Sequence, residues 1–325
     1  MSSQNNNLTM SSNINKEIKF KTEIPILLVV FNRPKLTKKL LKSLELLKPN
    51  KIYVAADGPR NDSLTDLDLC NQTRELFDTE INWDCKLEKK FHTTNLGVKH
   101  NANKGIDWIF DNEEMAIILE DDCEVNESFF KFCDELLIKY KDDNKIKVIS
   151  GNFYFTNNLK NSYYFSRCPG THGWATWKRA WKEHDIDMKK FSYYKDFFWL
   201  IFFFKFNIVK AHYFYKKFSY AYENKIKSWD YEFLYTIYRN NGLIIRPLVS
   251  LSKHIGWGDD ATHSKGSDQH PEVQIEEMAF PIQHPIKRHI NSKFDNLEME
   301  NIRRVKFFHY IKYKMFKKLS SYFNL

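Results

Sequence analysis

Three consecutive carboxylates, Glu120-Asp121-Asp122, stand directly after the apolar run Met115-Ala116-Ile117-Ile118-Leu119. Such a run predicts a buried parallel strand, and ligands of open α/β sheets gather at the carboxyl ends of their strands. Adjacent acids repel one another, so the cluster calls for a counter-charge. A divalent cation with oxygen ligands, itself able to carry phosphates, meets that need. A solvated acidic turn is the plainer alternative, and this segment alone leaves both open.

Other segments carry reactive groups at comparable places. Asp57 closes a second apolar run, Ile52 to Ala56, and is followed by Gly58-Pro59; there a carboxylate can accept hydrogen bonds from a base or ribose, or simply cap a turn. Arg33, in Asn32-Arg33-Pro34 after the run Ile24 to Phe31, can stack on a base, contact phosphate or stay solvated. Ser228-Trp229-Asp230-Tyr231-Glu232 opens an amphipathic stretch with Phe233, Leu234 and Ile237. A desolvated Asp230 beside tryptophan would have the raised pKa that a general base near neutrality needs. A helix-capping aspartate is the competing reading, and Glu232 is the rival for the basic role. From His254 to Gly266 a loop combines three glycines, two histidines and two acids, a composition suited to folding over a ligand. Gly170 to Trp177 sets Trp174 and Trp177 beside glycines, where indole faces could meet a sugar ring or fill a core.

The elements that must position these groups are legible as periodicity. Strand candidates cover Ile24 to Phe31, Ile52 to Ala56, Leu87 to His92, the run ending at Glu120, and Ile146 to Ser150. Between them fall helical patterns: Leu36, Leu40, Leu44 and Leu47; Leu64 to Phe77; Val98 to Phe110; and Asn126 to Tyr140. Such alternation predicts an α/β fold, a mostly parallel sheet with right-handed crossovers flanked by helices. After Gly151 it gives way to an irregular, aromatic-rich half. The expected division is a disordered polar tail over 1–22, a nucleotide-binding half over 23–151, an acceptor and catalytic half over 152–275, and a basic aromatic extension over 276–325.

At 325 residues the chain can bury a full core as one large or two small domains, and its formal charge of +9 does not choose among anionic partners. Five cysteines without a CxxC pair argue against a zinc site and a disulfide framework, which predicts a reducing cytoplasm. The first twenty residues are polar rather than signal-like, and no run approaches the roughly 20 apolar residues of a membrane span. The longest aromatic run, Phe197 to Phe204, stops at Lys205. Residues 301–325 hold seven Lys/Arg, no acid and several aromatics, the pattern of a helix lying on anionic lipid or of a basic helix packed on the domain.

In order along the chain, the strand Pro25 to Pro34, Asp57, Asn95-Leu96-Gly97-Val98, Ile118 to Asp122, Ser228-Trp229-Asp230 and His254 to His263 resemble a nucleotide-sugar glycosyltransferase of the GT-A fold. The likeness covers about residues 24–266 and is nearest to bacterial relatives of the N-acetylglucosaminyltransferase I family. It implies a UDP-sugar donor, with the acidic triplet matching the DXD motif and Asp122 as the ligand of Mn2+ (or Mg2+). Glu120 and Asp121 would bind the sugar and ribose side. Arg33 and Asp57 would hold uracil with His100 or Asn101 as an aid, Asn32 and Trp229 would belong to the donor site, and the loop around His263 would order over the diphosphate. Asp230 matches the catalytic base, and Trp174 and Glu232 are acceptor-binding candidates. Unlike the eukaryotic family, this chain shows no N-terminal anchor, and it departs from the pattern over about 152–224.

The implied reaction is inverting transfer to a glycan or lipid-linked saccharide, in surface polysaccharide or lipopolysaccharide synthesis. It would take place in the cytoplasm or peripherally at the inner face of the cytoplasmic membrane, on anionic lipid and without nucleic acid. One alternative is another metal-dependent nucleotide enzyme, a nucleotidyltransferase or phosphohydrolase. A nucleotidyltransferase would show a GxGxR-type loop where Phe31-Asn32-Arg33-Pro34 stands. The other, a non-catalytic carbohydrate- or membrane-binding protein, gives no reason for acids at a strand end.

Overall fold

The computed structural model describes residues 20–256 and 273–305. Strand β1 (Ile26–Val30) is buried throughout and lies between two parallel neighbours, β2 (Lys51–Ala56) and β4 (Met115–Glu120). Burial on both faces is why these strands read as unbroken apolar runs. Beyond β2 lies β3 (Lys86–Phe91), whose sequence KLEKKF supplies the charge that keeps an edge strand from pairing further.

Helix α1 (Pro34–Glu45) begins with proline in its first turn and buries Thr37, Leu40, Leu41 and Leu44. With α2 (Asp66–Thr79) and α4 (Glu127–Lys139) it contributes to the core on one face of the sheet. Asn126 caps α4 by accepting from the Phe129 N–H. Helix α3 (Gly97–Asn112) packs on the other face. It lies so close that a Cβ on Gly105 would stand 2.7 Å from that of Ala55 on β2.

After β6 (Ile146–Ser150) the sheet becomes mixed. Its order is β3-β2-β1-β4-β8-β6-β9-β7, with β7 (Tyr163–Ser166), β8 (Trp174–Trp177) and β9 (Leu243–Pro247). Strand β8 runs antiparallel between β4 and β6, β9 is parallel to β6, and β7 closes the edge antiparallel to β9. This is a Rossmann-like α/β architecture, as the alternation predicts. Helices α5 (Lys178–Trp181), α6 (Tyr193–Phe203), α7 (Ile208–Tyr222) and α8 (Asp230–Arg239) join α3 on its face.

Residues 276–305 run back along the domain, with Asp295 on α9 (Ser292–Leu297) taking the Ser166 hydroxyl at 2.6 Å. A π-helical turn, Glu298–Ile302, continues α9. At the described end of the N-terminal tail, buried Thr22 donates to Asp134 at 2.8 Å. Residues 1–19 and the basic stretch from 306 onward lie outside the described residues. All five cysteines are free thiols. Among the described residues no helix is long and apolar enough to cross a membrane.

Two features aim this frame at one place. The chain leaves β1 toward β2 on one side and returns through β4 on the other, so a crevice opens beyond the carboxyl ends of β1 and β4. Past the acidic triplet, β5 (Cys123–Val125) pairs antiparallel with β10 (Ser252–His254), opposing His254 to Cys123.

Candidate active site

The crevice is a cleft of about 950 Å³. Arg33, Asp57, His100, Asn101, Glu120, Asp121, Asp122, Trp229 and Asp230 all line it. The triplet is neither solvated nor splayed: Asp121 and Asp122 are buried. Arg33 Nη1 lies 3.1 Å from Asp121 Oδ1 and 2.8 Å from Asp122 Oδ2, and His254 Nε2 lies 3.2 Å from that same Asp122 oxygen. The Phe31 N–H donates to Asp121 Oδ2 at 3.3 Å, and Trp229 Nε1 donates to Glu120 Oε1 at 3.2 Å. The β5–β10 ribbon delivers the imidazole, since the Ile255 N–H also donates to the Asp122 carbonyl at 2.8 Å. Gly256 is required beside it, because a Cβ there would meet the Asp122 side chain at 2.6 Å.

Like charges in contact cannot all ionise, and the three acids divide accordingly. Burial, reinforced by the charge on Asp122, pushes Glu120 up to about 8. Burial also takes Asp121 up to about 7, against the pull of Arg33. Asp122 is buried too, but hydrogen bonds and charge from His254 and Arg33 outweigh that cost and hold it well below the usual carboxylate range. The cluster therefore presents one firmly ionised carboxylate and two that give up their protons at higher pH than ordinary carboxyls.

Carboxylate oxygens of this kind suit a hard divalent cation such as Mn2+ or Mg2+. Among the described residues, however, no group of three or more His, Cys, Asp or Glu is gathered to hold one. In this arrangement the Arg33 guanidinium supplies positive charge to Asp122, and the His254 imidazole stands within hydrogen-bond distance of it.

Asp57 is 2 % exposed and heavily engaged. Oδ1 accepts the N–H groups of Gly58 and Leu96 at 2.8 and 2.7 Å; Oδ2 accepts that of Gly97 at 3.0 Å and Asn95 Nδ2 at 3.1 Å. The carboxylate thus ties the end of β2 to the start of α3. Asn101, one turn into α3, is buried with Nδ2 toward the Val30 and Ala55 carbonyls, at 3.5 and 3.4 Å, while its Oδ1 has no hydrogen-bond partner. His100 is exposed on the cleft wall. Asn32 turns away, donating to Asp66 at 2.8 Å.

Asp230 is the first residue of α8 and accepts from the Ser228 hydroxyl. The capping position belongs to Trp229, whose side chain makes no capping bond. Trp229 is buried and stacked on Trp174 at 5.1 Å between ring centroids. Trp174 and Glu232 do not line the cleft: both are fully buried beside it, and Glu232 Oε1 sits 2.8 Å from Lys99 Nζ. Burial raises the Glu232 pKa, and Lys99 partly offsets this. His263 lies outside the described residues.

Several lining residues carry no single-residue signal in the sequence. Glu298 and Arg303 reach the cleft from the C-terminal stretch read as an extension. Glu298 Oε2 takes Arg246 Nη1 at 2.8 Å, and Arg303 Nη2 lies 3.4 Å from Oε1. His172, with its ring 4.8 Å from that of His254, comes from the Gly170 loop, where the glycines were the available hint.

No family model and no curated protein matches the chain. Among solved structures it is similar to the crystal structure of S. aureus TarS 1-349, at 14 % sequence identity and a TM-score of 0.40. The similarity covers 74 % of this chain and 59 % of that one, so this chain spans less than two thirds of the TarS chain.

Proposed function

We propose that the chain is a GT-A glycosyltransferase that moves a sugar from a UDP-sugar to a glycan or lipid-linked acceptor, with inversion at the anomeric carbon. The motifs resemble bacterial relatives of N-acetylglucosaminyltransferase I, and surface polysaccharide synthesis is the process such a reaction would serve. The supporting observation is the convergence, in one cleft at the switch point of the sheet, of the Glu120-Asp121-Asp122 cluster, Arg33 and Asp230. A diphosphate needs cationic and hydrogen-bonding partners beside a negative strand end, and Arg33 and His254 already stand there.

In this reading the uracil lies toward Asp57 and Asn101, which line the same cleft. Asp121 and Glu120 face the ribose and sugar. Asp230, steadied by Ser228, takes the proton of the attacking hydroxyl. Arg33 would exchange carboxylate contacts for phosphate oxygens when the donor binds. Asp122, with His254, is where Mn2+ or Mg2+ would be held; when bound, such an ion supplies neutralising charge at the leaving diphosphate.

Titration calorimetry with UDP, with and without Mn2+, tests the assignment on wild type and Asp122→Ala. UDP binding strengthened by Mn2+ in wild type alone is the expected result. Equal UDP affinity in both proteins under both conditions overturns the role of Asp122, and no UDP binding by wild type overturns the donor.

A further inference from the structure

Helix α6 carries a feature that the cleft does not use. Tyr194, Phe198 and Phe202 recur every fourth residue and so form one stripe along the helix. They are 75 %, 44 % and 63 % exposed. The stripe continues through the following turn. The Phe206 N–H returns to the Ile201 carbonyl at 2.8 Å and the Lys205 N–H to that of Phe202 at 3.0 Å, the paired closure of a Schellman turn. That closure places Lys205 and Phe206 in the left-handed region, at φ 49° and 64°, which bulky residues seldom adopt. It leaves Phe206 67 % exposed, with its ring 5.3 Å from that of Phe202. The helix meets its core with other residues, Leu200 and Asp196, both fully buried.

Charge along the hairpin is almost all of one sign, the exposed acids Asp187 and Glu223 standing just outside its two ends beside Lys189 and Lys225. Between Met188 and Tyr222 there are seven lysines, no arginine and a single acid, Asp196. That acid faces inward, accepting from Tyr235 Oη at 3.1 Å. Lys189, Lys190, Lys195, Lys205 and Lys216 are exposed. Aromatic rings in an apolar stripe, flanked by lysines whose alkyl stems can lie along them, match the boundary between bilayer and water.

We propose that the α6–α7 hairpin docks on an anionic lipid bilayer, with Tyr194, Phe198, Phe202 and Phe206 entering the headgroup layer and the lysines meeting lipid phosphates. A second copy of the chain would bring like charges together. Single-stranded nucleic acid is held by stacking platforms in cationic grooves, whereas this is an exposed helix face without arginine. Asp187 before the hairpin and Asn224 and Lys227 after it line the cleft, so docking would hold the cleft near the bilayer. The docking does not depend on the reaction assigned above.

Sedimentation of the whole chain with vesicles of equal parts phosphatidylglycerol and phosphatidylcholine, and of phosphatidylcholine alone, tests this without any nucleotide. Binding is expected on the anionic vesicles, weakening with salt, and the F198S/F202S/F206S variant should lose about tenfold or more in partition with its circular dichroism unchanged. K195E/K205E, which alters no ring, should fall in the same direction. Wild-type partition by either variant would overturn the proposal; if the ring variant misfolds, K195E/K205E decides. A ring-dependent dimer in light scattering without vesicle binding would assign the face to a second copy instead. Ring-dependent retention of a single-stranded oligonucleotide without vesicle binding would assign it to nucleic acid.

Discussion

Replacing Asp57 by Asn tests whether its carboxylate holds the protein or the ligand. Its contacts all come from nitrogen donors, two on each oxygen, at 2.7 to 3.1 Å. Asparagine keeps one oxygen, so two donors at best keep an acceptor while two face an NH2 group. Hydrogen bonds to a charged group contribute about 1.5–3 kcal/mol each, so losing two places the cost at about 3–6 kcal/mol. Removing a negative charge from the start of α3 adds about 0.3–1 kcal/mol through the helix dipole. Relaxation of residues 94–97 toward water recovers part of this, leaving a net destabilisation of about 3 kcal/mol. Equilibrium urea unfolding measures it, and hydrogen exchange at Leu96 and Gly97 should accelerate with it. If Asp57→Asn stays within about 1 kcal/mol of wild type yet loses UDP affinity, the anchoring argument fails and the carboxylate works directly on the ligand.

Asp230→Asn should keep UDP affinity while turnover falls by about 10²–10⁴-fold; unchanged turnover in a steady-state assay would remove Asp230 from the reaction. Glu298→Ala leaves buried Arg246 and half-buried Arg303 without their shared carboxylate, and denaturant titration should register a loss of about 3–5 kcal/mol. Burial lowers the pKa of His184 to about 4; its Nε2 donates to Asn103 Oδ1 at 2.7 Å, and its Nδ1 has no partner. Because the folded-state pKa is depressed, the neutral ring's contribution is present above about pH 6.5 and is lost as pH falls toward 4, by up to about 3 kcal/mol. Thermal unfolding of wild type and His184→Gln at pH 7 and 4.5 measures this; equal acid sensitivity in both would refute it. Gly256→Ala should displace the Asp122 carboxylate and weaken UDP binding by calorimetry, and wild-type affinity would show that the contact yields freely.

The first half of the fold was legible because local pattern and burial agree there. Strands buried on both faces, such as Ile26–Val30, leave unbroken apolar runs, and helices with one buried stripe, such as Pro34–Glu45, leave a helical period. The observed ends fall close to those runs. Past Gly151 the two part company. Strand β8 inserts antiparallel between β4 and β6, and its sequence, Trp174-Ala175-Thr176-Trp177, reads equally as a sugar platform or as core. Core is what the sheet makes of it, because both indoles end up buried between layers.

The chain's own order of residues determined that three acids close one buried strand and that an arginine and an aspartate follow the first two strands. Adjacency is enough for this, since each group is fixed to the strand that ends beside it. Only the tertiary structure decided what those groups meet. His254 reaches Asp122 through a ribbon pairing residues more than a hundred positions apart. Asp57 spends its oxygens on the start of α3, and Glu298 arrives from the far end of the chain to sit between two arginines. Such encounters depend on loop closure and packing over the whole sheet, and no local period encodes them.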